Sequence, residues 1–302
     1  MSMKSEDILL SIVIASRNYG RFIGDAIRSV LSQRVDWHYE LIIVDGLSTD
    51  ETIDVVRELA GEEIQITTAS DCNGLHQWHK CERLTWVSEK DNGQSDAFNK
   101  GFSVARGRFL TWLNADDIFV RGAFDAFYKV VQRYPQQDWF AGSCLYADER
   151  LRIKDYFRCH KFSWLRARFG RFSVGGPSSF FSKRVYIQAG RIDNDLHFCM
   201  DADLWWKFVK VIGLRYKRID YPIFVFRVHA DSKVSGLDVA TTERNLQNRK
   251  RQMDEGELLR ERYNLGSKRL SQLVNILSFS IRDRIVSLIR TRNIRGMDAR
   301  EI

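Results

Sequence analysis

The feature that most restricts this chain is the stretch Phe109-Leu110-Thr111-Trp112-Leu113-Asn114-Ala115-Asp116-Asp117. A nearly apolar run of strand length stops at an Asn and two carboxylates. A strand buried on both faces reads as such a continuous run, and open α/β sheets hold their ligands at the carboxyl ends of their strands. Hard oxygen ligands are therefore expected at a sheet edge. The competing reading is local: Asp116 or Asp117 caps the helix that begins near Ala123.

The chain ahead of this stretch repeats one pattern. Leu9 to Ala15 is a second apolar run, broken by Ser16-Arg17-Asn18-Tyr19-Gly20. Ile23, Ala26, Ile27, Val30 and Leu31 then recur at helical spacing. Leu41 to Val44 forms another run, ending in Asp45-Gly46-Leu47-Ser48-Thr49-Asp50, where Asp50 suits the cap of a following helix. A third strand, Leu84 to Ser88, leads to the turn signal Asp91-Asn92-Gly93. Ala97, Gly101 and Ala105 give the next helix a small-residue face that can lie close to a sheet. This alternation predicts a doubly wound α/β fold, with Asp45, Asp91, Asn99 and Asp116 at one edge.

Composition narrows the function classes. A chain of 302 residues holds one large domain with an appendage or two ordinary ones. A net charge of +8 suits an anionic partner. Five cysteines at irregular spacings argue against a disulfide framework. The first strand is followed by neither a Gly-x-Gly-x-x-Gly turn nor a Walker-type loop, which disfavours a nicotinamide dehydrogenase or a P-loop enzyme. Glu6 and Asp7 precede the first run, so no signal peptide is read there. No run approaches the ~20 apolar residues of a spanning helix. The expectation is a cytoplasmic protein, peripheral at most on the inner face of the plasma membrane. Cys72, His76, His79 and Cys81 offer zinc four donors. Their spacing fits no standard finger, so an ordinary insertion ahead of the third strand is expected.

Three segments in order, Asp45 to Thr52, Ser88 to Gly101 and Leu113 to Asp117, resemble the nucleotide-sugar-dependent glycosyltransferases of family 2, inverting enzymes with the GT-A fold. The likeness covers roughly residues 8–235. It implies a Rossmann-like mixed sheet with helices on both faces. It also implies that Ala15, Arg17, Asp45 and Asp91 line a nucleotide-sugar pocket, with Asn99 on the same side. Asn114-Ala115-Asp116 stands where the family has Asp-x-Asp. The metal then falls to Asp116, Asn114 faces the ribose, and Asp117 lies toward the acceptor. A nucleoside diphosphate leaves poorly until its developing charge is neutralised, and a divalent cation does this as a Lewis acid. Carboxylate and phosphate oxygens suit Mg²⁺ or Mn²⁺.

The second half extends the likeness. His197-Phe198-Cys199-Met200-Asp201-Ala202-Asp203-Leu204-Trp205-Trp206 resembles the family's Glu-Asp-x-Asp-Leu-Trp segment, with Met200 in place of the Glu. That maps the catalytic base onto Asp201, with Asp203 on the acceptor side. Leu204, Trp205, Phe208, Val211 and Ile212 would form the buried stripe of this helix. The alternative is that Asp201 caps the helix and Asp203 sits in its first turn, favoured by the dipole. Gly175 to Phe181, including Ser178, borders the acceptor in the related enzymes. Arg227-Val228-His229-Ala230-Asp231-Ser232-Lys233 resembles Arg-x-His-x-x-Ser-Lys, which brings His229 to the metal or diphosphate and Arg227 and Lys233 to phosphate.

Two basic regions lie outside these motifs. Residues 158–174 interleave Arg and Lys with aromatics, a pattern suited to single-stranded nucleic acid, to a membrane interface or to a partly packed loop. Residues 241–264 read as a solvated charged helix. Leu270, Leu273, Leu277, Ile281, Ile285 and Leu288 read as a basic amphipathic helix that packs or docks on a membrane. The expected division is a catalytic domain at 1–235, with a nucleotide-sugar half at 1–117 and an acceptor half at 118–235, followed by a helical extension at 236–302. The expected reaction moves a sugar from a nucleoside diphosphate, UDP favoured by likeness, to a saccharide or lipid-linked saccharide hydroxyl with inversion, in cell-surface polysaccharide synthesis. A nucleotidyltransferase would need a basic triphosphate loop, which Arg17 alone does not supply. A non-catalytic nucleic-acid-binding protein would leave the acids at the strand ends unexplained, so no nucleic-acid partner is expected. A homo-oligomer stays open.

Overall fold

The computed structural model describes residues 8–61, 65–71, 74–80, 84–168, 172–230, 232, 243–266, 289–292 and 294–302, with 65–80 described by backbone course alone. The first half runs β1 (Leu10–Ser16), α1 (Gly20–Leu31), β2 (Tyr39–Asp45), α2 (Thr52–Ala60), β3 (Gln65–Asp71), β4 (Gly74–Lys80), β5 (Thr85–Ser88) and α3 (Gln94–Val104). Then come β6 (Phe109–Asn114), β7 (Ile118–Phe119), α4 (Ala123–Arg133), β8 (Trp139–Asp148), β9 (Ile153–Phe157) and α5 (Trp164–Arg168). The rest comprises β10 (Ser179–Ser182), α6 (Lys183–Gln188), α7 (Met200–Trp206), β11 (Lys217–Val228) and α8 (Glu243–Arg262).

Among the described residues these strands make an 11-stranded sheet, ordered β3-β4-β5-β2-β1-β6-β10-β8-β11-β7 with β9 paired to β8. The three apolar runs of the first half lie at its centre with β6, all parallel: β5 on β2, β2 on β1, β1 on β6. Register brings their ends level, Ala15 opposite Asn114, Ser16 opposite Asp45 and Asp45 opposite Ser88. Side chains alternate between the faces. Ile12, Ile14, Leu41, Ile43, Phe109 and Leu113 pack with Ile23 of α1 and Phe124 of α4. Val13, Ile42, Val44, Leu110 and Trp112 pack with Phe98 and Phe102 of α3 and Leu204 and Trp205 of α7. The small-residue face of α3 lies where expected: a Cβ on Gly101 would overlap the Val13 side chain. Asp50 accepts hydrogen bonds from the Thr52 N–H at 3.1 Å and from the Gly20 N–H at 2.9 Å, tying α1 and α2 together.

Three features add to or depart from expectation. The insertion ahead of β5 takes the form of an antiparallel hairpin, β3 on β4, that extends the sheet. The side chains of Cys72, His76, His79 and Cys81 lie outside the described residues. Secondly, α7 continues into a π-helical turn at Lys207–Val211. The wider turn breaks the 3.6-residue stripe, leaving Phe208 buried but Val211 66% exposed. Thirdly, α8 is not free in solvent: Leu259 is buried in the core beside α7, and Glu255 is buried with it. Lys233 and the 270–288 stretch lie outside the described residues. No described helix is long and apolar enough to cross a membrane.

Candidate active site

A cavity of about 500 Å³ opens at the carboxyl ends of β1 and β6. Ala15 and Arg17 line it from the end of β1 and the turn after it, Asp91 and Gln94 from the turn into α3, and Asn114 and Asp116 from the end of β6 and the turn after it. Its other wall carries Tyr146 from β8, Phe226 from β11, Gly175 to Pro177, and Phe198 and Asp201 at the start of α7. Asp116 and Asp201, 85 positions apart in sequence, therefore face one opening.

The end of β6 is held by side-chain and backbone contacts together. The Gln94 amide donates to Asn114 Oδ1 at 3.0 Å, and Asn114 Nδ2 donates to Asp117 Oδ2 at 2.7 Å. Asp117 is fully buried and also accepts from the Arg227 N–H at 3.0 Å. Burial pushes the Asp117 carboxyl well up, and the neighbouring Asp116 charge adds to this. Asp116 lies 3.0 Å from His229 Nε2, and the His229 ring is buried against Phe22 at a centroid distance of 4.5 Å. Neither acid caps α4, whose first residue is Ala123 and whose flanking Gly122 makes no side-chain cap.

The Asp201 end has a different construction. Asp201 is the second residue of α7 and accepts from the Ala202 N–H at 2.7 Å. The amides just ahead of the helix go to Glu255 of α8, which accepts from His197, Phe198 and Cys199 at 2.9, 2.7 and 2.9 Å. Below it, Trp205 stacks on Trp112 at 5.7 Å with 9° between the planes, tying α7 to β6. A Cβ on Gly176 would come within 2.8 Å of that Trp112 ring, so only glycine lets the 175–177 turn lie this close.

Residues 11–169, more than half of the chain, match the sequence model of glycosyl transferase family 2. The chain belongs to glycosyl transferase family 2. An uncharacterised glycosyltransferase of Rickettsia prowazekii is 23% identical over 74% of this chain and 64% of its own length. The putative teichuronic acid biosynthesis glycosyltransferase TuaG of Bacillus subtilis is 32% identical over 36% of each chain. The chain thus spans less than two thirds of either relative. Among solved structures, S. aureus TarS 1–349 in complex with UDP-GlcNAc aligns with a TM-score of 0.52 at 14% identity, covering 74% of this chain and 60% of that one. The mannosyltransferase PcManGT from Pyrobaculum calidifontis, in complex with GDP-Man and Mn²⁺, aligns at 0.51 and 15% identity, covering 93% and 83%. These likenesses show the GT-A fold.

A divalent cation like the Mn²⁺ in the PcManGT complex would meet few protein donors here. Among the described residues no three His, Cys, Asp or Glu side chains converge as a closed cage. Asp116 and His229 offer one carboxylate and one imidazole 3.0 Å apart, and His229 Nδ1 is buried without a hydrogen-bond partner among the described residues. Such a pair fits Mg²⁺ or Mn²⁺ held largely through substrate phosphates.

Several expected residues do not line the cavity. Asp45 is buried behind its wall, accepting from the Ser48 N–H at 2.9 Å and from Ser88 Oγ at 2.7 Å. Asn99 turns into the core, donating to the Ile192 carbonyl at 2.9 Å. Ser178 is buried and donates to the Gly175 carbonyl of its own turn at 2.9 Å. Asp203 is fully buried against Arg262, Tyr263 and Lys207 at 2.8, 2.7 and 2.8 Å. Asp117 is sealed as described, and Arg227 points to α1, where it pairs with Asp25 at 2.9 Å. Gln94, Tyr146, Phe198 and Phe226 line the cavity without a sequence expectation. Burial pushes the Tyr146 phenol up, so it stays a neutral donor.

Proposed function

We propose that this family 2 protein transfers a sugar from a nucleoside-diphosphate sugar to a hydroxyl of a saccharide or lipid-linked saccharide, with inversion. The observation that carries the reading is the shared cavity of Asp116 and Asp201. The donor occupies the β1–β6 side, its nucleoside against Ala15, Arg17 and Asp91 and its ribose near Asn114. Asp116 and His229 hold a divalent cation, which when bound supplies Lewis-acid neutralisation of the diphosphate. Asp201 accepts the proton of the acceptor hydroxyl as its oxygen bonds to the anomeric carbon. The bond from that carbon to the phosphate oxygen breaks on the opposite side, and the nucleoside diphosphate departs. Such a displacement inverts the anomeric centre. Tyr146, Phe198 and Phe226 keep water away and offer faces to sugar rings.

Residues 1–235 form the catalytic unit of this reading, with the donor half at 1–117 and the acceptor half at 118–235, and 236–302 are appended to it. The name of TuaG, a putative teichuronic acid biosynthesis glycosyltransferase, supports an acceptor in surface polysaccharide synthesis. A thermal-shift panel of nucleoside diphosphates with and without Mn²⁺, with Asp116→Ala as control, tests the donor side. Stabilisation by one diphosphate that needs Mn²⁺ and Asp116 is the expected result. A panel in which none stabilises the chain sinks the reading.

A further inference from the structure

The base reading leaves open what aims Asp201. The helix that bears it is seven residues long, and its flanking Cys199 makes no side-chain cap. Trp205 anchors the body of this helix on β6, but any helix leaves its first N–H groups without intrahelical partners. The three amides ahead of it instead converge on the Glu255 carboxylate, His197 on Oε1 and Phe198 and Cys199 on Oε2. That side chain is 8% exposed and comes from α8, 56 to 58 positions further along the chain than the three amides. Hydrogen bonds from N–H groups to an ionised carboxylate are about twice as strong as neutral ones.

The same face of α8 holds α7 at a second point. Leu259 and Arg262 follow Glu255 by four and seven residues, one helical stripe. Leu259 enters the core, and Arg262 meets the buried Asp203 of α7 at 2.8 Å. Tyr263 adds its hydroxyl to Asp203 and stacks its ring on Trp206 at 5.9 Å. Thus α8 grips α7 on both sides of Asp201.

We propose that Glu255 is a positioning residue for the transfer reaction: its carboxylate gathers the 197–199 amides and so sets the direction in which Asp201 enters the cavity. This rests on Asp201 being the base. Glu255 touches neither donor nor acceptor. A substitution there leaves nucleotide binding alone and slows the chemical step.

The test uses the full chain and three variants: Glu255→Gln, Leu259→Ala and Asp201→Asn. Gln keeps the shape but offers one acceptor oxygen and turns an NH₂ toward amide N–H groups. Hydrogen exchange across 197–204 should quicken by about tenfold or more in Glu255→Gln, the scale of one lost hydrogen bond to a charged group. Leu259→Ala loosens the docking of α8 without touching the carboxylate. It should lower the melting temperature at least as much while leaving exchange at 197–204 much nearer to wild type. Nucleoside diphosphate release is then followed with UDP-GlcNAc, UDP-glucose and GDP-mannose in Mn²⁺, water serving as acceptor. Turnover by Glu255→Gln should fall by about tenfold to 10²-fold at unchanged KM for the donor, since displacing a reacting group by ~1 Å can cost about 10²-fold. Wild-type exchange in Glu255→Gln, or quickened exchange with unaltered turnover, overturns the assignment. So does Leu259→Ala if it quickens exchange at 197–204 as much as Glu255→Gln. Undiminished turnover by Asp201→Asn, or no turnover of any donor by the wild type, counts against the transferase reading instead, and the exchange arm then decides the Glu255 role alone.

Discussion

The two ends of the cavity are built in contrasting ways. At the proposed donor end, Ala15, Asn114 and Asp116 sit at or just past the tips of parallel central strands whose register is fixed by backbone hydrogen bonds. At the opposite end, Asp201 rides on a short helix fastened by side chains of α8, through Glu255 and through Arg262 and Tyr263 on Asp203. The strand tips are held mainly by the sheet beneath them, with His229 against Asp116 as a distant contact. The helix is anchored in the core by Trp205, but the turn that leads into it is held by Glu255. The nucleotide side should therefore resist substitutions far along the chain, whereas the base side should answer to them.

The largest expected effect separates the two ends by what each loses. Asp201→Asn should cut sugar-nucleotide turnover by about 10²- to 10⁴-fold, the usual contribution of a positioned proton acceptor. Its nucleoside diphosphate affinity, read by calorimetry, should stay within about twofold. Asp116→Ala should do the reverse first, weakening Mn²⁺-dependent nucleotide binding by about tenfold or more, since the cation then loses its carboxylate. A variant at either end that damaged both readouts equally would erase the distinction.

How far the sequence showed this contrast follows from the same physics. The central strands were legible because strands buried on both faces spell continuous apolar runs, and the acids at their ends stand out against them. Direction was not legible. Asp45 and Asn99 have the right type and lie on the right elements, yet Asp45 serves Ser48 and Ser88 and Asn99 serves the Ile192 carbonyl. Tyr146 and Phe226 were missed because facing the cavity depends on how β8 and β11 pair, a long-range fact. Glu255 was hidden more deeply still. Its partners are backbone amides, which carry no residue signature, and α8 reads as polar all round. A signal did exist in the spacing of Glu255, Leu259 and Arg262 along one stripe, but it is faint beside so many charges.

A medium-sized effect probes the second fastening. Asp203 is fully buried, so removing a partner leaves carboxylate hydrogen-bonding capacity unmet in the core. Arg262→Met keeps most of the apolar stem and deletes the guanidinium. It should destabilise the fold by about 1–3 kcal/mol, the range for a buried polar group that loses a partner. Lys207 and Tyr263 remain on the same carboxylate, which keeps the loss from being larger. Chemical denaturation measures it. A matching substitution at the donor end, Gly101→Ala, presses a methyl group into Val13 and should cost a comparable ~1–3 kcal/mol through overpacking. Only Arg262→Met should also quicken amide exchange in α7.

The smallest effect is in pH and concerns the outer branch of that fastening. Arg262 bridges to Asp193 as well, at 2.8 Å. Burial acts to raise the Asp193 carboxyl, but the Arg262 hydrogen bond, the Asp195 N–H and nearby cationic charge outweigh it, so the group lies below its ordinary value. A folded-state value below the unfolded one, ~3.9 for Asp, means the contribution is complete above that value and fades as pH falls through the lower folded one. The melting-temperature gap between wild type and Arg262→Met should therefore hold steady from about pH 7 to pH 5 and narrow below about pH 4. A gap that does not narrow in acid would mean that the Arg262 guanidinium stabilises the fold through the buried Asp203 and not through Asp193. The outer branch would then add nothing to the grip of α8 on α7, which would rest on the contacts of Arg262 and Tyr263 with Asp203 alone.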